Sequence, residues 1–150
     1  MISTLYKFLY SRELVPVDAD ENDERALQLA TAALLMEVAS ADYDISDVER
    51  DAIRSIVEEK YSVTPDEAVA IAHRAERDTE HTTSLYPFTR MINAECSLDE
   101  RVEIVSMLWQ VTAADGYIDA HEQHLVRKIA DLLYVPHSQF IRTRLQHDDR

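Results

Sequence analysis

The stretch of sequence that decides the fold occurs twice in this chain. Residues 38–61 read VASADYDISDVERDAIRSIVEEKY, and residues 111–134 read VTAADGYIDAHEQHLVRKIADLLY. The two segments align without a gap at a shift of 73 positions, and eight of the 24 aligned pairs are identical, where chance would give roughly one or two. Each segment runs from the end of an apolar stretch, through a short polar turn, into a stretch of helical periodicity. We therefore predict an internal duplication of a helix–turn–helix unit.

Apolar residues around both segments recur with the period of an α-helix. The stretch from Glu24 to Ala41 has such a spacing, and the stretch from Ser97 to Ala114 is apolar almost all round, as in a buried helix. One Gly and four Pro in 150 residues favour long helices, and no segment alternates like a strand. Further helices are predicted to start near Ser46, Thr64, Ser84, Asp119 and His137. The predicted fold is all-α, an internally duplicated bundle of about seven helices.

The chain is predicted to divide into a short N-terminal part and one helical domain. Residues 1–23 are interpreted as a short helix, ISTLYKFLY, followed by a polar linker that contains Pro16. Residues 24–150 form the predicted domain, with repeat units at about 24–80 and 97–147. We expect the N-terminal segment to pack against the bundle or a partner.

The charge and the composition exclude several classes of protein. The chain has 29 acidic and 15 basic residues, a formal charge of −14, which repels nucleic acid and anionic lipid. Solubility alone accounts for such a surface, and attraction of cations or basic partners is the functional alternative. No apolar run approaches the roughly 20 residues of a membrane span, so no transmembrane segment is predicted. The single Cys96 and the absence of a signal-peptide pattern predict a cytoplasmic protein.

Acidic residues gather in the polar turn of each segment. The first turn reads ADYDISDVE over residues 41–49, and the second reads ADGYIDAHE over residues 114–122. The second turn is similar to the last eight positions of a calcium loop, with Gly116 at the bend, but the earlier ligand positions hold Val111 and Ala113, so the complete oxygen cage is not encoded. The candidate ligands for a calcium-like divalent metal ion are Asp42, Asp44, Glu49, Asp115, Asp119 and Glu122.

A purely structural role also accounts for the two glutamates. Ser46 with Glu49, and Asp119 with Glu122, have the spacing of a capping box, which satisfies free backbone N–H groups at the start of a helix. The same spacing recurs at Thr64 with Glu67 and at Ser97 with Glu100, where no metal is expected. Helix capping is therefore an alternative to metal binding at both turns.

The aspartates at the two helix ends require a different compensation. Asp42 and Asp115 fall near the C-terminal end of a predicted helix, where the macrodipole disfavours negative charge. Hydrogen bonds from the following backbone N–H groups would compensate them, as would Arg54 or Arg127, or a bound cation. These three alternatives remain open at the level of sequence.

The pattern A-D-G-x-I-x-x-x-E after a long apolar helix resembles the tellurite-resistance TerB family over about residues 24–147. The resemblance implies a duplicated helical bundle, acidic residues that bind a divalent metal, and a link to tellurite resistance and other stress responses. The second turn matches with Asp115, Gly116, Ile118 and Glu122, whereas the first turn has Tyr43 where the pattern has Gly. A metal site is therefore better supported at the second turn.

No pattern for catalysis accompanies these turns. The sequence contains no nucleophile–base pair, no phosphate-binding glycine loop and no complete metal triad, so an enzyme is not predicted. His121 and His124 do not have the spacing of a zinc protease and are interpreted as surface residues, and Cys96 as a buried small residue. We expect a stress-associated binding module with a protein partner, or alternatively a metal-independent interaction or scaffold domain.

Overall fold

Seven helices and no strand make up the part of the chain that the computed structural model describes, which is residues 19–41, 45–80, 85–114, 116 and 118–148. The helices are α1 Ala19–Ala39, α2 Asp47–Tyr61, α3 Pro65–Glu80, α4 Tyr86–Glu95, α5 Leu98–Thr112, α6 Ala120–Leu132 and α7 His137–Asp148. The prediction of an all-α fold is confirmed. The predicted short helix in residues 2–10 lies outside the described residues.

Reciprocal side-chain caps start three of the helices. At α2 and α5, the hydroxyls of Ser46 and Ser97 accept from the backbone N–H of the glutamate three positions later, and each glutamate accepts from the serine N–H. Thr64 and Glu67 make the same exchange at α3, at 3.1 and 3.2 Å. These bonds satisfy N–H groups that have no partner within the helix. The predicted helix starts near Ser46, Thr64 and Ser97 are confirmed.

Several helix boundaries differ from the prediction, the start of α1 and the end of α6 among them. Helix α1 begins at Ala19 and not at Glu24, so it extends into the segment that was interpreted as linker. The acidic residue types of this segment are favourable in the first turns of a helix. Helix α6 ends at Leu132, before the predicted end at Tyr134, because Tyr134 adopts a left-handed φ of 55° that stops the helix.

Helices α1 and α5 form the centre of the bundle. Helix α1 contacts every helix from α2 to α6, and α5 contacts α1, α2, α6 and α7. Leu34, Leu35 and Met36 of α1 and Leu108 and Trp109 of α5 are all buried. Despite this apolar character, no helix in the described ranges is both long and apolar enough to cross a membrane.

The same order of elements follows each of the two central helices, α1 and α5. Each central helix is followed by a short turn and a second helix, and α2 and α6 begin at Asp47 and Ala120, 73 residues apart. This order agrees with the sequence alignment. The internal duplication itself stays a prediction.

Candidate functional site

By their positions in the sequence, all six predicted ligands fall in the two interhelical turns or at the start of the helices that follow them. The first turn joins α1 to α2, and the second joins α5 to α6. Three of the predicted ligands, Asp42, Asp44 and Asp115, lie outside the described residues. Among the residues that have described positions, no three His, Cys, Asp or Glu side chains converge in a way that could hold a metal ion.

Glu49 is a buried residue that takes part in the cap of α2, directly after the first interhelical turn. Its side chain is buried, with 4% of the residue exposed. Its Oε1 atom accepts hydrogen bonds from the backbone N–H and the hydroxyl of Ser46, both at 3.0 Å. The Ser46 Oγ in turn accepts from the Glu49 N–H at 3.1 Å. The sequence prediction of a capping box is confirmed here.

At the second turn, Asp119 caps the following helix and Glu122 is the buried carboxylate. Asp119 is the N-cap of α6, and its Oδ1 accepts from the N–H groups of His121 at 2.7 Å and Glu122 at 3.4 Å. Glu122 is buried, with 3% of the residue exposed. Each interhelical turn is therefore followed by a helix that has a buried glutamate near its N-terminus.

Burial separates these two glutamates from Glu67 and Glu100, which cap α3 and α5. The side chain of Glu67 is 45% exposed, and Glu100 is also exposed. Hydrogen bonds from Thr64 and Ser97 lower the pKa of Glu67 and of Glu100, respectively. Capping thus works with an exposed carboxylate. Because burying a carboxylate is costly unless it is compensated, burial is the feature that distinguishes Glu49 and Glu122 from these two exposed glutamates.

Gly116 makes the bend of the second turn. Its φ is +83°, a left-handed conformation that side-chain-bearing residues rarely adopt, and its N–H donates to the Ala113 carbonyl at 3.0 Å. A Cβ at this position would have no heavy atom within 4 Å. The glycine is therefore required by the backbone conformation and not by close packing. The sharp bend predicted for Gly116 is confirmed.

The sequence analysis missed a carboxylate beside the first turn. Glu37 lies in the last turn of α1 and is half-buried, and burial raises the pKa of its side chain. An acidic residue near the C-terminal end of an apolar helix opposes the macrodipole, a signal that was available in the sequence. The aligned position near the second turn is Gln110, so the two turns differ in carboxylate content.

The arginines that were considered as partners for the turn aspartates have other surroundings. Arg54 forms an ion pair with Asp51, one turn earlier in α2. Arg127 is exposed and forms no ion pair with a described residue. Compensation of Asp42 or Asp115 by arginine stays a prediction, since both aspartates lie outside the described residues.

The histidines near the second turn and the single cysteine have no feature that indicates a reactive site. His121 and His124 are exposed, as predicted. Cys96 was predicted to be buried, but it is half-buried because it is the C-cap residue of α4 at the edge of the core. Burial raises the pKa of its thiol to about 11, so the thiol is protonated at neutral pH.

The described residues form an all-helical domain with two acidic interhelical turns. Each turn is followed by a helix that contains a buried glutamate. The chain belongs to the TerB family, since the sequence model of that family, described as tellurite resistance protein TerB, matches residues 28–145. The match extends from α1 into α7 and includes all six predicted ligands. The resemblance seen in the sequence is confirmed. Comparisons with curated proteins and with solved structures found no significant match.

Proposed function

We propose that this TerB domain is a non-enzymatic, stress-associated binding module that holds a calcium-like divalent ion at its acidic interhelical turns. The observation that carries the proposal is the burial of Glu49 and Glu122, at 4% and 3% exposure. Both residues lie at the start of the helix that follows a turn rich in aspartate. A bound cation would compensate the charge that burial and the adjacent aspartates concentrate there.

The chemistry of the donor set supports a hard divalent cation. Carboxylate and backbone carbonyl oxygens are the ligands that calcium prefers, and the sequence places Asp115 and Asp119 on either side of the Gly116 bend. Asp119 uses Oδ1 for helix capping, so its second carboxylate oxygen is the one we assign to the ion. We therefore assign the primary site to the second turn, with Asp115, Asp119 and Glu122 as its ligands.

A metal-independent interaction domain is the second candidate. The complete capping box at Glu49 favours it, because Oε1 already accepts two hydrogen bonds from Ser46. In this alternative the acidic turns only start helices, and a protein partner meets another surface. The exposed large apolar residues among those described are spread along the chain: Val48, Val69, Tyr86, Tyr134 and Leu145.

An NMR titration separates the two candidates. The metal-free protein is titrated with calcium, magnesium, manganese and zinc, beside the double variant Asp115→Asn and Glu122→Gln and the matched control Glu67→Gln and Glu100→Gln. Metal binding predicts saturable shifts of the Gly116 and Asp119 amides in the wild type and the control, and their loss in the double variant. The absence of shifts at millimolar ion would contradict metal binding and support the metal-independent candidate.

A further inference from the structure

The exposed residues of α6 all lie on one face of the helix. At 100° per residue they occupy an arc of roughly 120°, which we call the α6 face. Its members are Ala120, His121, His124, Arg127, Lys128 and Asp131. With two basic and one acidic side chain and two imidazoles, this face is positive in a chain whose formal charge is −14.

The two basic side chains of the α6 face have no ion-pair partner among the described residues. The ion pairs established between described residues include neither Arg127 nor Lys128. A chain with 29 acidic and 15 basic residues offers each cation an excess of carboxylates. Arg127 and Lys128 are nevertheless exposed to solvent without a carboxylate partner among the described residues, so we take their charges as available to another molecule.

The aligned surface of α2 carries the opposite charge. A shift of 73 positions relates the α6 face to six residues that we call the α2 face: Asp47, Val48, Asp51, Arg54, Ser55 and Glu58. Three acidic side chains and one basic side chain make it negative. Asp47 and Asp51 are 98% and 68% exposed, and they form ion pairs with Arg50 and Arg54 of the same helix. Position 54 and position 127 are both arginine, but Asp51 aligns with His124, and Ser55 aligns with Lys128.

From these two faces we propose that the chain associates with itself head to tail, the α6 face of one copy binding the α2 face of the next. The opposite charges of equivalent helix faces supply the complementarity. Val48, 51% exposed within the α2 face, adds an apolar contact. Because the two faces are different surfaces of one molecule, each copy keeps one free face and the association does not stop at a dimer.

The net charge gives this association a characteristic salt dependence. Two copies of charge −14 repel each other at low ionic strength. At about 0.15 M salt the Debye length is about 8 Å, so the long-range repulsion is screened while the contact between the faces persists. At about 1 M salt the contact is screened as well. Association is therefore weak and strongest at intermediate salt.

Sedimentation equilibrium with charge-reversed variants tests the proposal. The first variant, Arg127→Glu with Lys128→Glu, makes both faces negative, and the second, Asp51→Lys with Glu58→Lys, makes both faces positive. Each variant alone associates at least roughly tenfold more weakly than the wild type, and an equimolar mixture of the two regains association. The control Arg77→Glu with Arg90→Glu has the net charge of the first variant and keeps both faces, so it associates like the wild type.

Circular dichroism of each variant verifies the fold before the measurement. The expected result is a weight-average mass above the monomer value of 17.2 kDa for the wild type, the control and the mixture. A wild type that stays monomeric at millimolar concentration and intermediate salt would overturn the proposal. Association that survives either reversal, or that the mixture fails to regain, would overturn it as well.

Discussion

Among single residues, Tyr61 and Tyr134 occupy aligned positions of the two segments but differ in burial and hydrogen bonding, because their tertiary contacts differ. The Tyr61 hydroxyl donates to Thr31 Oγ1 at 2.8 Å, and the Thr31 hydroxyl donates to the Leu27 carbonyl at 3.0 Å, which ties the end of α2 to α1. Tyr134 is 75% exposed. The residue aligned with Thr31 is Ile104, which has no hydroxyl to accept from Tyr134.

Removal of the Tyr61 hydroxyl should therefore destabilise the protein. Tyr61→Phe loses the hydrogen bond to buried Thr31, and we expect the free energy of unfolding to fall by about 0.5–1.5 kcal/mol. The matched control Tyr134→Phe removes an exposed hydroxyl and should change it by less than about 0.5 kcal/mol. Urea unfolding measures both variants, and equal effects would contradict the assignment.

The same tyrosine predicts a loss of stability at alkaline pH. Burial raises the pKa of Tyr61 from 10.0 to about 12. Since the folded state disfavours the phenolate, this contribution to stability is fully present below pH 10 and is lost as the pH rises to about 12. Wild type should lose more stability than Tyr61→Phe across this window, as measured by urea unfolding at each pH. If the free energies of unfolding of the two proteins changed in parallel with pH, the raised pKa of Tyr61 would be contradicted.

Cys96 should be a slow nucleophile in the folded protein. Its thiol pKa of about 11 leaves little thiolate at pH 8, compared with the ordinary value of 9.0 in an unfolded chain. We expect alkylation by iodoacetamide to be at least roughly tenfold slower in the native protein than in urea. Mass spectrometry of the modified protein follows the reaction, and equal rates would show that the thiol is not shielded.

Residue spacing predicts capping but not burial. Glu49, Glu67 and Glu100 occupy the same position of a capping box, and all three were predicted from the sequence. Only Glu49 is buried among these three, because the helices packed around it, and not its own cap, determine its exposure. The difference that supports a site at the turns could therefore not be obtained from local sequence.

At the scale of elements, helix starts were predicted better than helix ends. The starts of α2, α3 and α5 follow from side chains that bond to nearby backbone. The end of α6 depends on the left-handed conformation of Tyr134, whose residue type does not favour it. The Asn93 amide donates to the Leu132 carbonyl at 2.9 Å, and Arg101 donates to the Leu133 carbonyl at 2.6 Å. These contacts from distant residues stabilise the end of α6.

The central position of α1 predicts a large cost for shortening its buried side chains. Leu34 is fully buried where α1 packs within the bundle, so Leu34→Ala should lower the free energy of unfolding by about 2–5 kcal/mol. Leu145 of α7 is 62% exposed, and Leu145→Ala should cost less than about 1 kcal/mol. Thermal and urea unfolding measure both. Similar costs for the two leucines would contradict the assignment of α1 to the core.

For the whole molecule, periodicity and composition predicted the fold class, and the repeated motif predicted the family through its resemblance to TerB. Both depend on local patterns, since apolar spacing reports helices and a repeated motif reports the family. A metal site depends on the directions of side chains from several elements, which spacing alone does not determine. Glu49, Asp119 and Glu122 have described positions, and metal binding by these residues and by Asp42, Asp44 and Asp115 stays a prediction.

Linkage between calcium binding and unfolding tests whether the buried glutamates belong to a cation site. An ion that binds only the folded protein stabilises it by about 2.7 kcal/mol at 100 times its dissociation constant. Urea unfolding with and without calcium should show stabilisation of the wild type and of the exposed-cap control, Glu67→Gln with Glu100→Gln. Glu49→Gln with Glu122→Gln should lose the calcium effect. Absence of a calcium effect in the wild type, or its survival in the buried-glutamate variant, would contradict the account.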